Sequence, residues 1–218
     1  MGPGQKPLST RFRGGDDGSE PYARLIGRGN VLYGTTWGGN GGKSTVFSLS
    51  NNGGSWHKRT LHIFTGGSSD GDESRAGLYM DVQGNLFGTT EIGGLSNNGT
   101  VFELSATGAA WIETILYSFN GGSDGRIPLS ALALGANGSL YGTTNGGGQY
   151  GRGTVFALSF SAGQWEENVI HSFGSGSDAA EPFSGVTALP NGSLLGAATL
   201  GGDGNCIYSQ CGAIYEVQ

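Results

Sequence analysis

The chain has 218 residues, 45 of them glycine and only 6 proline, with 13% charged side chains and a net charge of −6. An acidic chain without a basic stripe excludes a nucleic-acid surface, because phosphate contacts need clustered Lys and Arg. No run of about 18 apolar residues occurs, so no membrane-spanning helix is expected. Aromatic residues make up 10% and recur in phase, which marks the glycines as turn residues between strands rather than a disordered tract.

In chain order, the opening Met1-Gly2-Pro3-Gly4-Gln5-Lys6 lacks the apolar core of a signal peptide, so an exported protein of this sequence is expected to be a mature or trimmed form. Leu8–Asp17 reads as a lone strand. Leu32-Tyr33-Gly34-Thr35-Thr36 then opens a pattern that returns at Leu86-Phe87-Gly88-Thr89-Thr90 and Leu140-Tyr141-Gly142-Thr143-Thr144. A worn copy follows at Leu194-Leu195-Gly196-Ala197-Ala198. The four glycines stand 54 residues apart, so four units of that length account for almost the whole chain. A period of this size marks a solenoid, a propeller or an array, in which no unit buries its own core alone.

The third unit shows the strands most clearly. Leu129–Leu134 is short and apolar, Asn137-Gly138 is a two-residue hairpin signal, and Ser139–Thr144 returns as a second strand. A Gly-rich loop, 145–152, leads to Thr154–Leu158, which is rich in β-branched and aromatic residues. After a turn at Ala162-Gly163, Trp165–Phe173 forms the fourth strand. Phe47, Phe102, Phe156 and Tyr215 mark the third strand of successive units. Trp56, Trp111 and Trp165 open the fourth, and Phe64, Phe119 and Phe173 close it. No segment has apolar residues at helical spacing. Four short strands per unit, joined as a meander, describe a propeller blade. The expected fold is therefore all-β: one four-bladed antiparallel β-propeller. Its units cover about 20–72, 73–126, 127–180, and 181–218 together with 5–19.

The fourth unit stops after its third strand, Ala213–Val217. Leu8–Asp17 carries the missing one, with Phe12 in the place of Phe173 and Asp17 in the place of Asp178. That strand is expected to complete the last blade and remove an exposed edge. It can do so within the chain, or in a neighbour by strand addition, which would give an oligomer or filament.

Asp17, Asp70, Asp124 and Asp178 form a fourfold set at the blade junctions. They read either as carboxylates holding Ca²⁺ with backbone carbonyls or as an Asx-turn at each junction. Occurrence in every blade favours the turn, and no metal site or other cofactor is expected. Trp37 breaks the symmetry, since its counterparts are Glu91, Asn145 and Thr199. Tyr150 likewise stands in a Gly-rich loop without an aromatic equivalent. Exposed rings beside Asn and Asp suit a sugar face. Trp56, Trp111 and Trp165 read as packing, and His62, Tyr117 and His171 as a solvent-facing row. Cys206 and Cys211, five apart in one loop, read as a local disulfide. Sequons at Asn98, Asn137 and Asn191 fall in turns or loops and need a suitable host to matter. Strings such as Gly121-Gly122-Ser123-Asp124-Gly125 match a nucleophile-elbow pattern but sit in a junction loop with no helix following. No catalytic residue is assigned.

The motif at Leu140–Gly147, Gly153–Phe156 and Leu116–Pro128 resembles the GloVer tandem repeat family, across nearly the whole chain. The resemblance implies a secreted or cell-surface bacterial protein, and it attaches no catalytic residues or cofactors to the repeat. The fourth unit departs from it, with Gly-Ala-Ala for Gly-Thr-Thr and an inserted cysteine loop. The expected function is a non-catalytic extracellular binding or scaffold module, with surface glycans as ligand. The alternative is a structural subunit that self-assembles by exchanging terminal strands.

Overall fold

The computed structural model describes residues 10–38, 43–53, 55–174, 178–202 and 211–218. Four antiparallel sheets form a four-bladed propeller. Blade I is β1 (Ile26–Arg28), β2 (Val31–Thr36), β3 (Thr45–Asn52) and β4 (Ser55–Ile63). A short β5 (Gly71–Asp72) leads to blade II, which is β6 (Tyr79–Met80), β7 (Leu86–Thr90), β9 (Thr100–Thr107) and β10 (Ala110–Ser118). Between β7 and β9, β8 (Ile92–Gly93) pairs back onto β5. Blade III is β11 (Ala133–Leu134), β12 (Leu140–Thr144), β13 (Thr154–Ser161) and β14 (Gln164–Ser172). Blade IV holds β15 (Thr187–Ala188), β16 (Leu194–Ala198) and β17 (Ala213–Val217).

The repeated glycine is a packing requirement. A Cβ on Gly88 would stand 2.5 Å from Cζ of Phe102, and one on Gly142 would stand 2.5 Å from Cζ of Phe156. The aromatic ring of the third strand therefore lies across bare backbone of the second. Its other side receives the phenylalanine that closes the preceding blade. Phe64 meets Phe102 at 5.1 Å between ring centroids, Phe119 meets Phe156 at 5.2 Å, and Phe173 meets Tyr215 at 4.7 Å, all edge to face. Such pairs add about 0.5–1.5 kcal/mol to the burial of each ring. The hydrophobic core accordingly runs between blades: each of its three clusters draws residues from two neighbours.

The two threonines after that glycine have separate tasks. The first ties one blade to the next, through Thr35 Oγ1 to Ala76 O (2.7 Å), Thr89 Oγ1 to Ser130 O (3.1 Å) and Thr143 Oγ1 to Ser184 O (3.0 Å). The second meets a threonine of the adjacent strand, in the pairs Thr36–Thr45, Thr90–Thr100 and Thr144–Thr154. Ala197 and Ala198 of blade IV offer neither hydroxyl, so the junction from blade IV to blade I lacks this tie.

That junction differs in another respect. Among the described residues, blade IV has three strands, and residues 10–14 form none. Gly15–Asp17 is a single 3-10 turn instead. Phe12 nonetheless sits edge-on to Phe47 at 4.9 Å, the relation Phe64 has to Phe102. The segment is held from blade I, where Lys58 Nζ donates to the carbonyls of Arg11 and Asp17. Among the described residues no strand pairs with the outer edge of β17, and Ile214 is 79% exposed where its counterparts Val46, Val101 and Val155 are fully buried.

Gly88→Ala is expected to drive Phe102 from its place and cost about 1–3 kcal/mol as an overpacked core substitution. Thermal unfolding checks this, and an unchanged midpoint would show that the ring can give way without penalty.

Candidate functional site

Three of the four blade junctions, I to II, II to III and III to IV, are built by a bulge. In β4, β10 and β14 the pairing skips one residue — Leu61, Leu116 and Ile170 respectively. A bulge re-aims the side chains beyond it. His62, Tyr117 and His171 thereby turn onto the repeated aspartates rather than forming the solvent-facing row expected from sequence. His62 Nε2 lies 3.4 Å from Asp70 Oδ1, Tyr117 Oη donates to Asp124 Oδ2 at 3.0 Å, and His171 Nε2 lies 2.8 Å from Asp178 Oδ2.

The four aspartates also hold the junction loops. Each accepts from a backbone N–H at its loop's start: Arg13 to Asp17, Thr65 to Asp70, Asn120 to Asp124 and Gly174 to Asp178. This is the Asx-type arrangement. Asp70 is 8% exposed; burial raises its pKa, but the hydrogen bonds from His62 and Thr65 outweigh that and hold it below the ordinary carboxylate value.

One position facing these aspartates varies around the ring. Six residues before each closing phenylalanine stand Lys58, Glu113 and Glu167. Lys58 Nζ is 2.5 Å from Asp17 Oδ1, and mainly through this hydrogen bond the carboxyl of Asp17 is held low. At the next junction Glu113 stands against Asp70 and His62. Desolvation, reinforced by the Asp70 charge, pushes its carboxyl up to about 7. Glu167 is likewise pushed up to about 7, by burial first and the charge of Asp124 second. One oxygen of each glutamate is buried without a hydrogen-bond partner.

Glu113 opens onto a cavity of about 560 Å³ between blades I and II, walled by Ser68, Ser69, Leu95, Tyr117 and Asn120 among others. The junction loop after β4 and the loop between β7 and β9 meet here, joined by bonds from Gly94 N to the carbonyls of Gly67 and Asp70. These are the long loops in which the sequence placed binding.

Trp37 and Tyr150 are not in that wall. Trp37 stands between blades I and II with its Nε1 donating to Glu73 Oε2 at 2.9 Å. The Arg75 guanidinium lies 4.0 Å over its ring, and Tyr22 meets it edge-on. Arg75 in turn pairs with Glu91 at 3.1 Å. One face of the indole is thus covered by a cation, and the ring serves as a clamp between neighbouring blades. Tyr150 is 47% exposed in the loop between β12 and β13 of blade III. Trp111 packs edge-on to Tyr33 of the preceding blade, and Trp165 lies against Phe160. Cys206 lies outside the described residues, so the Cys206–Cys211 pair is not described. His62, Glu113 and Glu167 went unassigned as site residues in the sequence. The change from Lys58 to Glu113 and Glu167 at one repeat position was the signal that could have found the glutamates.

Because burial pushes the folded carboxyl of Glu167 up to about 7 and an unfolded one titrates at about 4.3, folding is unhindered by this group at low pH. Stability is lost as pH rises between those values. Glu167→Gln is therefore expected to leave the melting temperature unchanged at pH 4 and raise it by a few degrees at pH 8. An equal difference at both pH values would contradict this.

Among solved structures, the chain is similar to a Bacteroides uniformis protein provisionally named a 6-phosphogluconolactonase, with 18% identity and a TM-score of 0.55. The match covers 90% of this chain and 53% of the other, so the chain spans about half the length of that protein. A likeness at this identity shows a common fold alone. A bifunctional GH43-CE protein of Bacteroides eggerthii matches at 16% identity and TM-score 0.44, over 87% of this chain and 23% of that one. A Thermus thermophilus protein provisionally named an oxidoreductase (glucose dehydrogenase) matches at 14% and 0.38, over 92% and 84%. Both lie below the similarity at which a fold can be inferred. No curated protein matches the sequence. The model of the Gloeobacter/Verrucomicrobia repeat matches residues 2–215, and the chain belongs to that family.

Proposed function

We propose that the protein is a non-catalytic extracellular binding module that takes a polar, sugar-like ligand between blades I and II. The cavity there carries the reading. Its lining brings the polar residues Ser68, Ser69 and Glu113 together with the apolar Leu95 and Ile115. A site of this kind offers a sugar both hydrogen-bond partners and a face to rest on. Leu95 is 78% exposed at this point of the long loop. The extracellular placement rests on the resemblance of the repeats.

Ser69→Trp, at an exposed loop position, would fill the cavity mouth. It is expected to abolish binding on a broad glycan panel while leaving the melting temperature within about a degree, as exposed substitutions usually do. Absence of binding by the unmodified chain across such a panel would sink the reading.

A second reading, self-assembly by terminal strands, is favoured by the 79% exposure of Ile214 and by a β17 that has no outer partner among the described residues. It expects light scattering to find assemblies of the whole chain and monomers once residues 2–9 are deleted. Monomers of the whole chain would end it.

A further inference from the structure

We propose that His62, Asp70 and Glu113 form a binding site for one divalent transition-metal ion, zinc foremost, at the junction of blades I and II. The inference does not depend on any glycan. One imidazole nitrogen and one oxygen from each carboxylate lie within 4.8 Å of one another. Ligands to zinc sit about 2.0–2.1 Å from the metal, so neighbouring donors of a tetrahedral site stand about 3.4 Å apart. His62 Nε2 and Asp70 Oδ1 already stand 3.4 Å apart. At the junction of blades III and IV, where no described residue takes the place of Glu113, the same pair, His171 and Asp178, closes to 2.8 Å.

The second line of support is the unpartnered glutamate. One oxygen of Glu113 is sealed from water and receives no hydrogen bond, while Asp70 faces it with a second negative charge. Two carboxylates so placed need a cation between them or a shared proton. The protein itself shows the first solution one junction earlier. There, at the repeat position of Glu113, the ammonium of Lys58 sits against Asp17. Between blades I and II the built-in cation is replaced by a third potential ligand. The backbone bonds to Asp70 from Thr65 and Gly71 orient its carboxylate as second-sphere partners do.

One imidazole and two carboxylates are the donor set of zinc, manganese or ferrous iron, whereas calcium asks for six to eight oxygens. Of the three donors, Glu113 also lines the cavity. The neighbouring junction tests the assignment internally. There Tyr117, Asp124 and Glu167 repeat the geometry with a phenol in place of the imidazole.

The experiment uses the untagged full chain, stripped with a chelator, and titrates Zn²⁺, Mn²⁺ and Ca²⁺ by calorimetry with parallel thermal unfolding. One Zn²⁺ per chain is expected, with a rise of several degrees in melting temperature. Glu113→Gln and His62→Gln are each expected to lose both signals, while Glu167→Gln keeps them. Glu113→Gln removes an unpaired buried charge, so it should fold at least as well as the parent. The proposal is overturned by no response to Zn²⁺ or Mn²⁺, by a response to Ca²⁺ alone, or by binding that survives in either the Glu113 or the His62 variant.

Discussion

An aromatic ring laid across a glycine holds this molecule in register. Phe102 over Gly88 and Phe156 over Gly142 occupy space that any Cβ would fill. Seated against the bare backbone, the same ring also meets Phe64 or Phe119 from the blade before, edge to face. The contact that closes each sheet is therefore also the contact that joins it to its neighbour. A blade cannot pack internally without presenting the surface its neighbour needs, which is why the core lies between blades and why a single unit of this length would not stand alone.

On that frame, the repeated polar residues are largely occupied. The first threonine bonds the next blade, the second bonds the adjacent strand, and the aspartates hold the junction loops. Chemistry is left to positions where the repeat is broken. Lys58, Glu113 and Glu167 share one position and meet aspartates in the same way, yet the lysine makes a close ion pair and each glutamate keeps one buried oxygen without a hydrogen-bond partner. Burying a carboxylate beside another costs free energy that the fold must offset elsewhere.

The architecture was legible because strand, turn and aromatic signals repeat in phase. Four weak local readings at one spacing reinforce one another. The aspartates were legible as a set for the same reason, and their turn-holding bonds match the reading their symmetry favoured. The partners of those aspartates were not legible. A bulge at Leu61, Leu116 and Ile170 shifts the alternation by one residue, and nothing in strand periodicity announces it. His62 and its counterparts therefore read as facing water. Trp37 was conspicuous for breaking the pattern, but Arg75 and Glu73, which cover and engage its ring, lie more than thirty residues away.

The sequence by itself determined the number of blades, the second, third and fourth strands of the first three, the glycine and aromatic positions, and the junction aspartates, because these depend on local spacing repeated around a ring. Only the tertiary structure decided which side chain faces which across a junction. That depends on the bulge, on the angle between neighbouring blades and on contacts between residues distant in the chain. The meeting of His62, Asp70 and Glu113 is of this second kind. The three residues come from the ends of one blade, the loop that leaves it and the last strand of the next, and a common site exists only once the two blades have packed.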